Sequence, residues 1–291
     1  MRTLFLALAL GSFASLSAWA APLRVLLIDG QNNHDWKASS PWIKKILESS
    51  GLFVVDVATT PGAGGNMAAF KPDLAPYQVL VSNYNGESWS KEFQQAFVNF
   101  VRNGGGFVSV HAADNAFPDW PEYNEMIGIG GWNGRNAKSG PWLYWDGKIV
   151  RDPSPGNGGS HGKQHEFKLT TREPSHPIMA GLPAEWMHCK DELYDRLRGP
   201  ANNVTVLATA FSDKATNGSG RHEPLLMALT FGQGRIFHTA LGHNNGPDLT
   251  SQKCVGFITT LQRGTEWAAT GQVTQRPPAD FPTADKSSSR P

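Results

Sequence analysis

The chain has 291 residues, 18% of them charged, and a formal net charge of +1. This balance gives no electrostatic reason to expect nucleic acid or an anionic membrane surface as a partner. At this length the chain can bury a full core, and a single domain is expected. Its two cysteines, Cys189 and Cys254, do not make a disulfide framework, and the sequence leaves open whether they pair. No pattern indicates an oligomeric state.

Residues 1–20 have the features of a secretory signal peptide. Arg2 precedes a short apolar run, and the letters AWA offer a cleavage site before residue 21. The run is too short for a membrane span, which needs about 20 residues. The sequence therefore predicts a periplasmic or secreted protein, with an uncleaved anchor as the alternative. The domain is expected over 21–271, followed by a disordered tail over 272–291, which is rich in proline and serine.

The first half of the mature chain alternates predicted strands and helices. The runs "LRVLLID", "FVVDVAT", "YQVLVSN" and "FVSVHAA" are typical of strands, the first of them buried on both faces. Ser40 and Pro41 predict the start of one helix, and Ser90 predicts the cap of a second over "KEFQQAFVNFVRN". This alternation predicts an α/β fold with a parallel sheet and right-handed crossovers.

The second half begins with a long insertion. Residues 128–162 are rich in Gly, Asn, Trp and Pro and lack a clean period. Their aromatic content argues against disorder, so we expect a long aromatic loop with a function. The runs "HEFKLTT" and "NVTVLATAF" are then typical of strands, and "LLMALTFGQGRIFHTALGH" predicts a hairpin turning at residues 232–234. A final helix is predicted over 256–269.

Histidines follow several of the predicted strands. His34 comes after the first strand, His111 ends the fourth, and His243 follows the final hairpin, while His161 lies at the end of the insertion. The carboxyl ends of parallel strands form the ligand-binding edge of such a sheet. We therefore expect His34, His111 and His243 to surround one cleft, together with Asp114.

These side chains can move protons or bind a metal, although each could also be structural. Four residues are candidates for acid/base catalysis, in which a carboxylate can orient an imidazole or act as the base: His111, Asp114, Glu192 and His34. Four are candidate ligands of a divalent metal such as zinc: His34, His111, His161 and His243. The glycines at 104–106 precede their strand instead of opening a helix, so no nucleotide cofactor is expected.

Ten tryptophans are many for this length, and most lie among loop residues. The candidates for substrate binding are Asn33, Asp35, Trp36, Trp132, Trp142 and Trp145. The three in the insertion are predicted to lie over or beside the cleft as a lid or sugar platform, because a long aromatic loop is costly to order without a role. Plain anchoring of the loops is the structural alternative.

Taken in order, the motifs of the chain resemble the ThuA-like family, named for trehalose utilisation. They are "DGQNNHDW", "GGGFVSVHAADNAFPDW", "HGKQHEF", "HPIMAGLP", "DELYD" and "EPLLMALTFGQGRIFHTALGH". The resemblance covers roughly residues 23–270 and implies a flavodoxin-like fold, related to class I glutamine amidotransferases, with a mostly parallel sheet and helices on both faces. His111 would lie close to where the amidotransferase cysteine is expected, so glutamine hydrolysis is disfavoured.

The resemblance also implies sugar chemistry, since ThuA-like proteins are linked to oxidised, 3-keto disaccharides and glycosides. A ketone at C3 acidifies the proton on C2, so a base can remove it and the C1 substituent can leave, after which water adds. Isomerase chemistry on such a sugar is equally open. The alternatives are a non-catalytic carbohydrate-binding protein and a metal-dependent hydrolase of a non-sugar substrate. An export signal and a long insertion separate this chain from a cytosolic trehalose-catabolic member, so the particular sugar stays open.

Overall fold

A computed structural model of the protein describes residues 21–291, so the signal peptide predicted over 1–20 lies outside the described residues. The strands are β1 (Leu23–Asp29), β2 (Phe53–Thr59), β3 (Val79–Ser82), β4 (Gly106–Val110), β5 (Trp142–Trp145), β6 (Ile149–Asp152), β7 (Ser160–His161), β8 (His165–Thr171), β9 (Glu185–Asp191), β10 (Tyr194–Asp195), β11 (Val204–Ser212), β12 (Arg221–Phe231) and β13 (Gly234–Thr239). The helices are α1 (Trp36–Glu48), α2 (Lys91–Arg102), α3 (Pro121–Ile127), α4 (Thr250–Lys253) and α5 (Val255–Thr270). Within residues 21–291, no helix is both long and apolar enough to cross a membrane.

The main sheet has a parallel half and an antiparallel half. Its strand order is β2-β1-β3-β4-β13-β12-β11-β8-β9, and the first five strands are mutually parallel. This half has the 2-1-3-4-5 order of flavodoxin-like sheets, with β13 in fifth place. The predicted hairpin is β12 and β13, which pair antiparallel from Phe231 and Gly234 onward. The α/β, flavodoxin-like fold is confirmed, and four antiparallel strands extend its parallel half.

Helices cover both faces of the parallel half. On one face, Phe107 of β4 packs edge-on against Phe97 of α2, with ring centroids 5.0 Å apart. Phe237 of β13 pairs with Val108, the next residue along β4, so it points to the opposite face. There α5 approaches so closely that a Cβ at Gly264 would lie 2.1 Å from the Phe237 ring. Glycine at this position allows α5 to seal that face of the core.

Helix α1 begins earlier than the sequence predicts. Its N-cap is Asp35, whose side chain accepts a hydrogen bond from the Ala38 amide at 3.2 Å, and Pro41 lies inside the helix. Ser40 does not act as the cap because its hydroxyl is buried and accepts from the Asn83 amide at 3.0 Å. The start of α2 is as predicted, since Ser90 caps it through the amide of Phe93.

Two stretches have more structure than the sequence suggests. The insertion over 128–162 contains the β5–β6 hairpin and β7, which pairs with β10. The segment 272–291, expected to be disordered, lies against β9 and α5. Phe281 packs on buried Trp186 with centroids 5.6 Å apart, and the Val255 amide at the start of α5 donates to the Ser288 carbonyl at 2.8 Å. The Met187 amide of β9 also donates to the Thr283 carbonyl at 2.8 Å, so backbone hydrogen bonds to β9 and to the first turn of α5, together with one aromatic contact, order this segment.

The two cysteines lie side by side beneath this segment as free thiols. The backbone amide of Cys189 donates to Cys254 Sγ at 3.3 Å, and the Cys189 thiol contacts the Ser288 carbonyl at 3.6 Å. They thus link β9, the start of α5 and the C-terminal segment.

Candidate functional site

Three histidines converge at the carboxyl edge of the parallel half. His34 follows β1, His111 follows β4 and His243 follows β13. The His34 ring centroid lies 4.9 Å from that of His111 and 4.7 Å from that of His243. The sequence expectation that these three surround one site agrees with their positions. The chain reverses its strand order between β1 and β3, and ligands of doubly wound sheets bind beside such a point.

Glu192, in the loop after β9, completes this group, which we call the His–Glu cluster (His34, His111, His161, His243 and Glu192). Its Oε1 atom is 3.2 Å from His243 Nε2 and 3.5 Å from His161 Nε2, and its Oε2 atom is 3.8 Å from His111 Nε2. Ligand atoms of His34, Glu192 and His243 all lie within 4.8 Å of one another. Imidazole nitrogens and one carboxylate at this spacing are a donor set typical of zinc and related divalent metals.

His111 is held with one ring nitrogen facing the cluster. Its Nδ1 atom lies 2.8 Å from the Ala240 carbonyl, which can only accept, so Nδ1 carries the proton. Its Nε2 atom is buried and has no hydrogen-bond partner among the described residues. The backbone at His111 is left-handed, with φ +47°, a conformation that is uncommon without glycine and is concentrated at functional sites. The strand-end turn therefore presents a bare imidazole lone pair to the cluster.

Burial lowers the pKa of two histidines of the cluster, His34 and His111. Burial first, and then the neighbouring His243, lowers the pKa of His34 to about 4. Burial and the neighbouring His34 hold the pKa of His111 well below its usual value. Neutral imidazole is the form that binds metals or accepts a proton, so both residues are in that form at neutral pH.

Asp191 holds the backbone of two cluster residues, Glu192 and His243, through hydrogen bonds. Its Oδ1 atom accepts from the backbone amides of Glu192 at 2.7 Å and His243 at 3.1 Å. Its Oδ2 atom accepts from the Gly242 amide at 2.9 Å and lies 2.8 Å from His188 Nε2. Although burial acts to lower the pKa of His188, Cys254 and Asp191 raise it to about 10. The buried Asp191 carboxylate thus ties together the two loops that carry Glu192 and His243.

Asp114, a candidate for catalysis, does not join the cluster. It is fully buried, and its Oδ2 atom lies 3.2 Å from His238 Nε2. His238 in turn donates from Nδ1 to the Ile127 carbonyl at 2.8 Å. The reason is local: the left-handed residue His111 starts a 3-10 turn over His111–Asn115, which directs Asp114 into the core. The carboxylate beside His111 is therefore Glu192.

A cavity of about 320 Å³ opens beside the cluster. His34, His161 and Glu192 form one wall. Its other walls are amide and aromatic side chains: Asn33, Asn85, Asn115, Asn133, Trp132 and Tyr194. The Tyr194 ring bridges the two parts, with its centroid 4.3 Å from that of His111 and 4.6 Å from that of Trp132. The cavity can therefore hold a polar ligand against both the cluster and an aromatic surface.

Comparison with known families identifies the chain. The model of the ThuA family, described as trehalose utilisation, matches residues 24–268. The chain belongs to the ThuA family. The resemblance drawn from its motifs is thereby confirmed.

Solved structures of ThuA-like proteins share this fold. One from Parabacteroides merdae ATCC 43184 is 54% identical, with a TM-score of 0.91 over 92% of this chain and 98% of that chain. Another, from Bacteroides uniformis ATCC 8492, is 17% identical, with a TM-score of 0.58 over 90% of this chain and 98% of that chain, and supports the fold alone. The curated proteins contain no match to this ThuA family member.

The candidate substrate-binding residues of this ThuA protein separate into two groups. Asn33 and Trp132 line the cavity. The other four are not part of its lining. The guanidinium carbon of Arg198 lies 4.5 Å from the Trp142 ring centroid, and that of Arg172 lies 5.1 Å from the Trp145 ring centroid. Asp35 caps α1, and Trp36 is the first residue of that helix. The expectation that all three insertion tryptophans lie beside the cleft therefore holds for Trp132 alone. The other two stack on arginines that fix the β5–β6 hairpin.

Some cavity residues were missed by reasoning from the sequence: Asn85, Asn115, Asn133 and Tyr194. A signal existed for Asn85, because it follows β3 and so lies beside the point where the strand order reverses. Asn115 and Tyr194 lie a few residues from His111 and Glu192, yet a neighbour in sequence can point to either side of a loop. Only the folded backbone places them in the cavity.

We expect Trp132→Ala to raise KM about three- to tenfold and to leave kcat nearly unchanged, because it removes a stacking surface present in both the ground state and the transition state. Steady-state kinetics on an accepted substrate measures this. Trp142→Ala is the matched control, since it removes the same ring from the β5–β6 hairpin outside the cavity. Equal changes in the two variants would contradict a binding role for Trp132.

Proposed function

We propose that this protein is an enzyme that moves protons on a keto-sugar, such as a 3-keto-glycoside or disaccharide, with the help of a divalent metal. The observation that carries the proposal is the His–Glu cluster opening onto a cavity of amides and one tryptophan. The neutral imidazoles of His34 and His111 next to a carboxylate suit proton transfer and metal binding, while amides and an indole suit sugar hydroxyls and ring faces. The features of residues 1–20 further support a periplasmic or secreted location.

The residues of the cluster fit a divalent metal. His34, Glu192 and His243 would hold the ion, with His111 as a further ligand, because the buried Nε2 of His111 has no protein partner and faces the Glu192 carboxylate. A bare lone pair opposite a carboxylate is unfavourable unless a proton or a cation lies between them. A bound metal would polarise a substrate carbonyl and so stabilise the negative charge that develops on it.

The chain itself supplies the proton-transfer groups and the binding surface. A ketone at C3 of a sugar acidifies the proton on C2, and a base at the cavity wall can remove it. His161 is suited to this contact because it lines the cavity and its Nδ1 atom is fixed by the Gly162 carbonyl at 2.8 Å. Departure of the C1 substituent followed by addition of water gives net cleavage, whereas return of the proton gives isomerisation. Removal of the C2 proton is common to both outcomes.

Metal analysis and a paired substrate screen test this proposal. Purified protein is expected to contain about one divalent metal per chain by elemental analysis. Incubated in deuterium oxide with a 3-keto-glycoside, it should exchange the C2 proton or release the C1 substituent, as followed by NMR. The same glycoside without the ketone is the control and should remain unchanged.

The alternatives give different results in the same screen. Tight sugar binding without exchange or release would indicate a non-catalytic carbohydrate-binding protein. Equal turnover of the unoxidised glycoside would show that the ketone is not needed and would overturn the proposed chemistry. Turnover of esters or amides together with inertness toward every sugar would indicate a metal-dependent hydrolase of a different substrate class.

A further inference from the structure

The two free thiols form a pair outside the His–Glu cluster, and the proposed function does not use them. Cys189 lies in β9, and Cys254 directly precedes α5. The backbone amide of Cys189 donates to Cys254 Sγ at 3.3 Å, although the two residues are 65 positions apart in the sequence. Both side chains are buried. The fold therefore brings two sulfur nucleophiles together at a second place in the molecule.

The surroundings of Cys254 favour its thiolate. Its sulfur accepts the Cys189 amide and lies at the start of α5, where the first amides of the helix carry partial positive charge. The neighbouring His188 is protonated at neutral pH: although burial lowers its pKa, Cys254 and Asp191 raise it to about 10. Hydrogen bonding by Cys189, and after it the charge of His188, lowers the pKa of Cys254 in spite of its burial.

The second cysteine of the pair remains a thiol. Hydrogen bonding to Cys254, together with burial, raises the pKa of Cys189. A thiolate is the form that attacks a disulfide, and an adjacent thiol can then resolve the mixed disulfide that results. Cys254 therefore has the properties of the attacking sulfur and Cys189 those of the resolving one.

The C-terminal segment (272–291) covers the thiol pair. The Cys189 thiol contacts the Ser288 carbonyl at 3.6 Å, and the Arg290 amide donates to the last carbonyl of α4 at 2.9 Å. The Arg290 guanidinium donates twice to Asp280, at 2.7 and 2.8 Å, and this ion pair is exposed to solvent. Because exposed ion pairs contribute little stability, the segment can open locally while the sheet stays folded.

We infer that Cys189 and Cys254 are a redox-active dithiol, which a small disulfide such as oxidised glutathione converts to an intramolecular disulfide when the C-terminal segment opens. The inference goes beyond the proposed function and does not depend on it. Since the Cys189 amide already contacts Cys254 Sγ, the two sulfurs need little backbone movement to meet. The proposed exported location would expose the pair to oxidants of this class.

The oxidation takes place in two thiol–disulfide exchanges. The Cys254 thiolate attacks one sulfur of the oxidant, whose S–S bond breaks, so that one half is bound to Cys254 and the other leaves as a thiolate. The Cys189 sulfur then loses its proton and attacks Cys254 Sγ, which releases the second half. The two cysteines lose two electrons and the oxidant gains them as two thiols, one protonated by the Cys189 proton and the other by water.

The disulfide should stabilise the fold, because the loop that it closes carries both Glu192 and His243. A crosslink removes conformational freedom from the unfolded chain, and more so for a long loop. We expect the oxidised protein to melt at least about 5 °C above the reduced protein in calorimetry. The double variant with Cys189→Ser and Cys254→Ser is the control, whose melting the oxidant should not change. A protein that contains the disulfide and melts no higher would contradict this effect.

Mass spectrometry of the intact protein tests whether the disulfide forms. The protein is reduced with dithiothreitol, freed of it, incubated with oxidised glutathione, and then denatured in the presence of a maleimide that labels every remaining thiol. We expect the monomer to become lighter by two hydrogens and to take up no label within hours, and dithiothreitol to restore two labelled thiols. Two labelled thiols after the incubation would overturn the inference, and so would a glutathione adduct that persists beside a free thiol.

Two single variants assign the attacking sulfur. Cys189→Ser keeps the Cys254 thiolate and should stop at the glutathione adduct, whereas Cys254→Ser keeps only the Cys189 thiol and should react at least about tenfold more slowly. Circular dichroism checks that both variants fold. In the unmodified protein, an acid quench at early times followed by peptide mapping should find glutathione on Cys254. Glutathione on Cys189 instead, or a faster reaction of Cys254→Ser, would overturn the assignment.

A surface variant tests whether the C-terminal segment controls access to the thiols. Arg290→Ala removes the ion pair with Asp280 and should speed the oxidation about two- to fivefold, the scale expected for such a pair. Arg276→Ala is the matched control, since it makes the same change at an exposed arginine of the same segment. None of these measurements needs a bound metal or turnover of a sugar, so the inference and the proposed function can fail separately. Equal rates in Arg290→Ala and the unmodified protein would overturn the role given to the segment.

Discussion

His111→Ala should fold normally and lose activity by about a hundredfold or more, the usual scale for a positioned acid or base. The substitution removes an imidazole whose Nδ1 donates to the carbonyl of Ala240, the residue after β13, and whose Nε2 faces Glu192. Folding should survive because the residue lies in a turn at the strand end, but the melting temperature should fall, since alanine leaves a space beside Tyr194 and His34 and is strained at the left-handed backbone. Turnover of a keto-glycoside and thermal melting together measure the two effects.

His111→Asn separates the possible roles of the side chain. Asparagine tolerates the left-handed backbone required at this position and keeps a hydrogen-bonding group, but it neither shuttles a proton nor binds a transition metal well. Inactivity with unchanged metal content would identify an acid or base, and joint loss of metal and activity would identify a ligand. His222→Ala, a histidine at the start of β12 away from the cavity, is the matched control. Near wild-type turnover in His111→Ala would show that the histidine is only architectural.

The strand-end histidines could be predicted because their positions depend on few variables. A buried apolar run predicts a strand, alternation with helices predicts a parallel sheet, and a parallel sheet brings its carboxyl ends to one edge. His34, His111 and His243 follow from these steps without knowledge of any side-chain contact. The same reasoning gives the start of α2 at Ser90, since a serine cap acts within a single turn.

The carboxylate partner of His111 could not be predicted in the same way. Asp114 lies three residues away in sequence, but the left-handed turn at His111 sends it to His238 in the core. Glu192 reaches the site from the loop after β9, the strand at the far edge of the antiparallel half. The hydrophobic pattern of the sequence does not predict where this loop lies. Its position depends on the Asp191 hydrogen bonds to the loop after β13. Contacts this distant along the chain emerge only when the whole sheet is assembled.

The tryptophans show a second limit of sequence reasoning. Trp132, Trp142 and Trp145 occur in the same insertion with similar neighbours, and composition cannot distinguish a ligand platform from a packing surface. The structure separates them by their partners, since Trp142 and Trp145 face guanidinium groups and Trp132 faces Tyr194 across the cavity. Arg198 and Arg172 are distant in sequence from the tryptophans on which they stack, so the sequence alone does not show that Trp132 is the ring left facing the cavity.

Glu192→Gln should produce the largest combined loss, removing most of the bound metal and lowering activity by about a hundredfold or more. Glu192 is the only carboxylate within 4 Å of imidazole nitrogens of His111, His161 and His243 among the described residues. Glutamine has nearly the same shape, so the cavity and the contact with Gln164 can be kept. The negative charge that balances a cation is lost, however, and an amide is a poorer ligand than a carboxylate.

Glu192→Asp shows whether the negative charge or the length of the side chain matters more, because aspartate keeps the charge but is one methylene shorter. We expect it to retain more metal than Glu192→Gln while remaining well below the unmodified protein in activity, since the shorter side chain cannot contact all three imidazoles. Glu185→Gln is the matched control: it makes the same chemical change on β9, where Glu185 contacts Lys168 and Thr170 away from the cluster. Elemental analysis of the three variants and kinetics on one keto-glycoside give the comparison. If Glu192→Gln kept both its metal and its turnover, the cluster would be a buried polar network without a catalytic role, and the histidines around it would serve the fold alone.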